Sequence, residues 1–196
     1  MIKFGVIGTA WRTEFFLRIA RACPDLFEVA AIVGRDAKRT AEVAGRFNVP
    51  SHSTIEELVA SARPAFVVTS VSRGANVDVM AELTRLDMPT LSETPPAETI
   101  DELREVWTMA QKGARIQVAE QYCMQPHHAA RLEFVRSGKL GRVSQAQVSV
   151  SHGYHGISLM RRFLGITFEP VTVTAHNFTS PIVEGAGRDG LPEKEA

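Results

Sequence analysis

Six residues near the amino terminus, Gly8-Thr9-Ala10-Trp11-Arg12-Thr13, have the types and spacing to hold a phosphate. They follow the short apolar run Ile2 to Ile7 and precede residues at helical spacing, Phe15, Phe16, Ile19, Ala20 and Cys23. A helix that starts straight after a glycine turn leaves its first N–H groups without helical partners, and its dipole favours a negative group there. The chemistry on offer is the cradling of two linked phosphates. The full spacing for that task is G-x-G-x-x-G; here only Gly8 stands, with Ala10 and Thr13 at the other two glycine positions. Ala10 puts a methyl where a phosphate would approach, and Thr13 replaces the residue that lets helix and strand pack closely. Trp11 fits either a side chain over a bound nucleotide or an ordinary anchor. Taken alone, the motif also fits a strand and helix with no ligand.

A second group lies at Gly34-Arg35-Asp36, after the apolar run Phe27 to Val33. In a dinucleotide fold the end of this strand meets the adenosine ribose. An acid there accepts from the 2′-hydroxyl, and an arginine pairs with a 2′-phosphate. Arg35 therefore favours NADP over NAD, while Asp36 reads as the cap of the next helix, whose first turn carries Lys38 and Arg39 towards water. Histidines recur at His127, His128, His152 and His155, but no Cys, Asp or Glu joins them at ligand spacing, so the sequence gives no metal site. His155, at a helix start, fits a buried histidine bonded to a carbonyl as well as a chemical group.

These residues need a frame, and the chain supplies alternating strand and helix patterns. Strands are expected at Ile2 to Gly8, Phe27 to Val33, Phe66 to Val71, Pro89 to Glu93 and Ile116 to Glu120, with a short edge piece at Pro50 to Ser53. Helices are expected at Ala37 to Phe47, Ala75 to Leu86 and Thr99 to Lys112, with a shorter one from Thr54; Thr54 to Glu57 and Thr99 to Glu102 read as capping boxes. The fold class is α/β, a doubly wound parallel sheet followed by a partial α+β second domain. The pattern divides the chain into a nucleotide-binding domain over residues 1–121, a partial substrate or dimerisation domain over 122–183, and a disordered tail over 184–196. In the second part, Pro126 to Val135 and His155 to Leu164 read as helices, and Gln145 to Ser151 and Val171 to Phe178 as alternating strands.

Composition narrows the function classes. Lys+Arg and Asp+Glu both number 22 in 196 residues, so nothing marks nucleic acid or an acidic membrane as partner. No run reaches the roughly 18 apolar residues of a membrane span. The amino terminus is strand-like, with no secretory signal pattern. Cys23 and Cys123 form no disulfide framework, and two free thiols suit the cytoplasm.

The order of these pieces, together with Ser92-Glu93-Thr94-Pro95 and His155-Gly156-Ile157-Ser158-Leu159, resembles the Gfo/Idh/MocA oxidoreductases over nearly all of residues 2–178. The resemblance implies an NAD(P)-dependent hydride transfer to or from a sugar-like or polyol hydroxyl or carbonyl. It implies His155 as the proton donor or acceptor. The family's Glu-Lys-Pro motif falls on Glu93-Thr94-Pro95, so Thr94 stands where the family has a lysine. A family histidine falls on Asn76, and two family aspartates fall on Ser151 and Ser158. Tyr122, His127, His128, His152 and Tyr154 are the groups available to replace the lost charges. Gly8, Thr9, Ala10 and Trp11 would line the pyrophosphate and Arg35 the ribose; Ser70, Ser72, Glu93, Thr94 and Gln121 would surround the nicotinamide. The resemblance also implies a homo-oligomer through the second-domain sheet. Because the charged helpers are missing, a non-catalytic nucleotide-binding or regulatory module on the same fold stands as the alternative.

Overall fold

In β1, Ile2–Ile7, the residues from Phe4 onward are all buried, so both faces of this strand are covered. That is the signature of a central strand in a parallel sheet with helices on both sides. A computed structural model of the chain, describing residues 1–150 and 153–179, shows this arrangement. β1 pairs in parallel with β2, Phe27–Val33, on one side and β4, Phe66–Thr69, on the other. β3, Ser51–His52, β5, Thr90–Ser92, and β6, Ile116–Val118, complete a six-stranded sheet in the order β3-β2-β1-β4-β5-β6. The strand order reverses between β1 and β4, and a crevice opens at such a point beyond the carboxyl ends of the strands.

The helices α1, Trp11–Ala22, and α2, Ala37–Phe47, cover one face. Leu17 and Val43 pack there against Phe4, Val6, Ile32 and Val68, and Phe4 stacks on Phe66 at 5.4 Å between centroids. On the other face lie α3, Ile55–Glu57, its π-helical continuation Leu58–Ala62, and α4, Arg73–Arg85. Leu58 and Leu83 are fully buried there, and truncating either to Ala removes on the order of 2–5 kcal/mol. α5, Ile100–Gln111, packs on α4 through Val106 and Met80. Its capping box is complete: Thr99 accepts from the Glu102 N–H and Glu102 accepts from the Thr99 N–H. At Thr54 only half of the expected box forms. Its hydroxyl accepts from the Glu57 N–H, but the Glu57 carboxylate turns to the Ser53 N–H instead.

Beyond β6 come a 3-10 turn, Tyr122–Met124, then α6, Pro126–Arg136, and α7, Gly153–Leu164. Two expected strands are corrected here. Gln145 to Val150 keeps the predicted alternation, with Ala146, Val148 and Val150 half-buried and their neighbours exposed. Val150 and Val148 lie over Gly156 of α7. Yet the segment has no ladder partner among the described residues, and extended chain without one is not a strand. Val171 to Phe178 is likewise unpaired, with Val171, Val173 and Phe178 exposed. The chain forms two compact units, Met1–Leu164 and one starting at Gly165. Ser151, His152 and the expected tail over 184–196 lie outside the described residues.

Candidate nucleotide cleft and histidine site

A cleft of about 820 Å³ opens at the β1/β4 switch point. Gly8, Thr9, Ala10, Gly34, Arg35, Ser70 and Ser72 line it, together with Asp36, Arg39, Glu56 and Glu82. Gly8 has φ +122°, and a Cβ there would lie 2.0 Å from the Ser70 carbonyl oxygen, so only glycine makes this turn. At Gly34 a Cβ would meet the Thr40 hydroxyl at 2.3 Å and the Thr9 methyl at 2.6 Å. Gly8 brings backbone against backbone, Gly34 brings backbone against the Thr9 and Thr40 side chains, and both line the cleft. Ala10 is the N-cap of α1 and supplies no side-chain acceptor to the helix start. The donors of the first turn therefore suit an anion, which is the property a pyrophosphate site requires. The Ala10 methyl does not close the cleft. Trp11 is exposed, is not among the lining side chains, and carries the Arg12 guanidinium 4.5 Å from its ring centroid. Thr13, at the third glycine position, is fully buried, and its hydroxyl has no hydrogen-bond partner.

At the carboxyl end of β2 Asp36 caps α2 as expected, accepting from the Arg39 N–H at 3.0 Å. That use of its carboxylate competes with any bond to a 2′-hydroxyl. Arg35 is exposed at the cleft. Arg39 is exposed, as expected, and also donates from Nε to the Thr9 carbonyl at 3.1 Å, which braces the glycine turn. No spacing rule reaches from residue 39 to residue 9; the contact exists because β1 and β2 are adjacent. Glu82 is held above the usual carboxylate range, first by burial and then by the nearby Glu56 carboxylate.

A second cluster sits past the ends of β5 and β6. His155 is buried, and its Nδ1 lies 2.5 Å from Glu120 Oε2. The other Glu120 oxygen accepts from the Tyr122 N–H at 2.9 Å. The Tyr122 ring lies flat on the imidazole, with centroids 4.0 Å apart and planes 3° apart; His128 stacks beyond it at 6.0 Å. Thus the structure brings together His155 and Tyr122, two of the three residues expected to act chemically. Gln121 is exposed beside them. Glu93 is half-buried and pairs with Arg12 at 3.3 Å, while accepting from the Thr94 N–H. Burial pushes the Glu93 carboxyl up, opposed by Arg12, by the Thr94 N–H and by His155. Sequence reasoning missed Arg12, Arg39 and Glu120 as members of these sites. Asn76, a position the resemblance matched to a histidine, is buried in scaffolding. It accepts from the Thr69 hydroxyl at 2.7 Å and donates to the Ser92 hydroxyl at 2.9 Å and the Pro96 carbonyl at 3.0 Å. Among the described residues no group of three or more His, Cys, Asp or Glu side chains is placed to hold a metal ion, and no helix is long and apolar enough to cross a membrane.

Known proteins agree with this reading of the fold. Over 62 residues the chain is 39% identical to scyllo-inositol 2-dehydrogenase (NADP(+)) IolU of Bacillus subtilis, covering 31% of this chain and 19% of that protein. Among solved structures, GenD2 from gentamicin A biosynthesis, in complex with NAD, superposes with a TM-score of 0.69 at 18% identity, over 84% of this chain and 54% of that one. The WlbA dehydrogenase of Bordetella pertussis, in complex with NADH and UDP-GlcNAcA, superposes with a TM-score of 0.65 at 16% identity, over 72% and 43%. The chain spans less than half the length of the curated relatives it matches. Residues 2–121 match the GFO_IDH_MocA model, described as an oxidoreductase family with an NAD-binding Rossmann fold. With the switch-point cleft, the Gly8 turn and this match over more than half its length, the chain belongs to the Gfo/Idh/MocA oxidoreductase family.

Proposed function

We propose that this chain forms the nucleotide-binding part, and a portion of the catalytic part, of an NAD(P)-dependent dehydrogenase or reductase acting on a sugar-like or polyol hydroxyl or carbonyl. The observation that carries the reading is the open cleft at the β1/β4 switch point, with its Gly8 turn and a helix start that no side chain caps. Gly8, Thr9 and Ala10 hold the pyrophosphate, with Trp11 at the rim, and Arg35 pairs with a 2′-phosphate, which favours NADP. Ser70 and Ser72 line the inner end; Glu93, Thr94 and Gln121 face the nicotinamide. When bound, the nicotinamide supplies or accepts the hydride. The chain's own part is the proton: His155 takes it from the substrate hydroxyl on oxidation and returns it on reduction. Tyr122 covers one face of the imidazole and excludes water from it. Thr94 offers a neutral hydroxyl to substrate, and Arg12 on Glu93 is the cation beside it.

The relatives' names support the substrate class, since they include an inositol dehydrogenase and an enzyme crystallised with a UDP-sugar. The exposed Phe168, Val171, Val173 and Phe178 support homo-oligomerisation through the second domain, and the free Cys23 and Cys123 support a cytoplasmic setting. A non-catalytic nucleotide-binding module is the second reading; it is favoured by Thr94 at the lysine position and by the full structural engagement of Asn76.

The test is a thermal melt with NADP and NAD each at about a hundred times its Kd, where one-site binding adds about 2.7 kcal/mol. A rise with NADP exceeding that with NAD is expected, and no rise with either removes the proposal. Turnover of an inositol panel with NADP⁺ separates the two readings. His155→Ala should lower it about 10²- to 10⁴-fold while leaving nucleotide binding unchanged.

A further inference from the structure

We infer that Glu120 is a positioning residue for His155, fixing which ring nitrogen carries the exchangeable proton. The inference rests on the role proposed above for His155. A neutral imidazole has one N–H and one acceptor nitrogen, and whatever its neighbours accept decides the tautomer. Glu120 Oε2 at 2.5 Å from Nδ1 is a pure acceptor when ionised, so it holds the proton on Nδ1. Nε2 is then the basic atom in the neutral ring, and it takes the substrate proton.

Three further contacts make this a built arrangement. The side chains of His155 and Glu120 are 5% and 16% exposed, so water competes weakly for the bond. The Tyr122 N–H binds the second Glu120 oxygen and fixes the carboxylate's rotation. The Tyr122 ring, parallel to the imidazole, fixes the plane in which Nε2 points. One short segment, Glu120-Gln121-Tyr122, therefore sets tautomer, rotation and plane together. Glu93, a carboxylate at the end of the neighbouring strand, is engaged by Arg12 and the Thr94 N–H.

The same logic assigns a cost to losing it. Without Glu120 the proton loses the carboxylate that holds it on Nδ1, and a ring protonated on Nε2 alone cannot accept from a hydroxyl at that atom. On oxidation the alcohol's proton then has no acceptor there, although the hydride still has its nicotinamide.

Histidine-selective ¹⁵N NMR on the full chain tests this directly, with the His155 signals assigned by their loss in His155→Gln. The wild-type chain above the imidazole titration should show the Nδ1–H form. Glu120→Ala should move His155 to a majority Nε2–H form, and Glu120→Asp should recover part of the Nδ1–H signal. In parallel, scyllo-inositol, myo-inositol and UDP-GlcNAcA are assayed with NADP⁺. On whichever turns over, Glu120→Ala should lower kcat about a hundredfold with KM for NADP⁺ unchanged. An Nε2–H ring in the wild type, or a tautomer unmoved by Glu120→Ala, overturns the inference. The wild-type spectrum decides the first point even if the Ala variant does not fold. Absence of turnover by the wild type overturns the catalytic role of His155 alone, while the NMR arm still decides what Glu120 does to the ring.

Discussion

The two halves of the candidate site are built by different means. The nucleotide turn is made of backbone. Gly8 and Gly34 fix its path, β1 and β2 hold it in register, and the Gly8 N–H donates to the Val33 carbonyl at 2.8 Å. The histidine cluster is made of side chains, with Glu120 and Tyr122 meeting His155 across a gap the local chain does not set, and Arg12 and Glu93 form a separate pair. In a backbone-built turn the amide donors belong to any residue, so Ala10 and Thr13 in place of glycines leave them in place. A site assembled from side chains is only as good as each partner.

The largest break in that comparison is Gly8→Val. Its Cβ lands on the Ser70 carbonyl in a backbone region that valine avoids, so we expect a loss of at least about 3 kcal/mol and of nucleotide binding, read by urea denaturation and by NADPH fluorescence. Asn76→Ala should cost about 1–3 kcal/mol, since it strands the Thr69 hydroxyl and the Pro96 carbonyl in a buried place. Its effect falls on the segment carrying Thr94, so a larger change in turnover than in nucleotide affinity would sharpen the division between the halves.

Arg12→Gln acts through Glu93 and is pH-dependent. Burial makes the folded chain hold the Glu93 proton more tightly than the unfolded one, so stability falls as pH rises through the carboxylate range towards the raised folded value. Arg12 lessens that fall. Its removal should therefore cost up to about 1 kcal/mol at pH 7 and less at pH 4, read by melting at both. An equal cost at both pH values would mean that the arginine acts by packing on Trp11 and Phe15 instead. The smallest effect is expected for Glu82→Gln. It removes a half-buried carboxylate whose ionisation Glu56 opposes, so the melting temperature should rise slightly at pH 7 and hardly at pH 4.

What the sequence made legible follows the same division. The alternation of apolar runs with helical spacing placed the sheet and its helices, and Gly8, the Asp36 cap and the Thr99 box stand where their residue types require. These are local signals, each spanning a few residues. The alternation at Gln145 to Val150 correctly marked which side chains turn inward, but a strand also needs a neighbour, and a pattern cannot supply one. Glu120 and His155 are 35 positions apart, and Arg39 and Thr9 are 30 apart. Nothing in either pair's own surroundings announces the other, so only the folded topology reveals them.

Ala10 at the head of α1 has a consequence for how such a chain behaves in the absence of its nucleotide. Serine, threonine or aspartate at that place would complete the helix start from within and typically add about 1 kcal/mol. Alanine leaves the task to whatever enters the cleft. On the reading proposed above, a nucleotide in the cleft would complete that helix start and raise resistance to unfolding as its concentration rises.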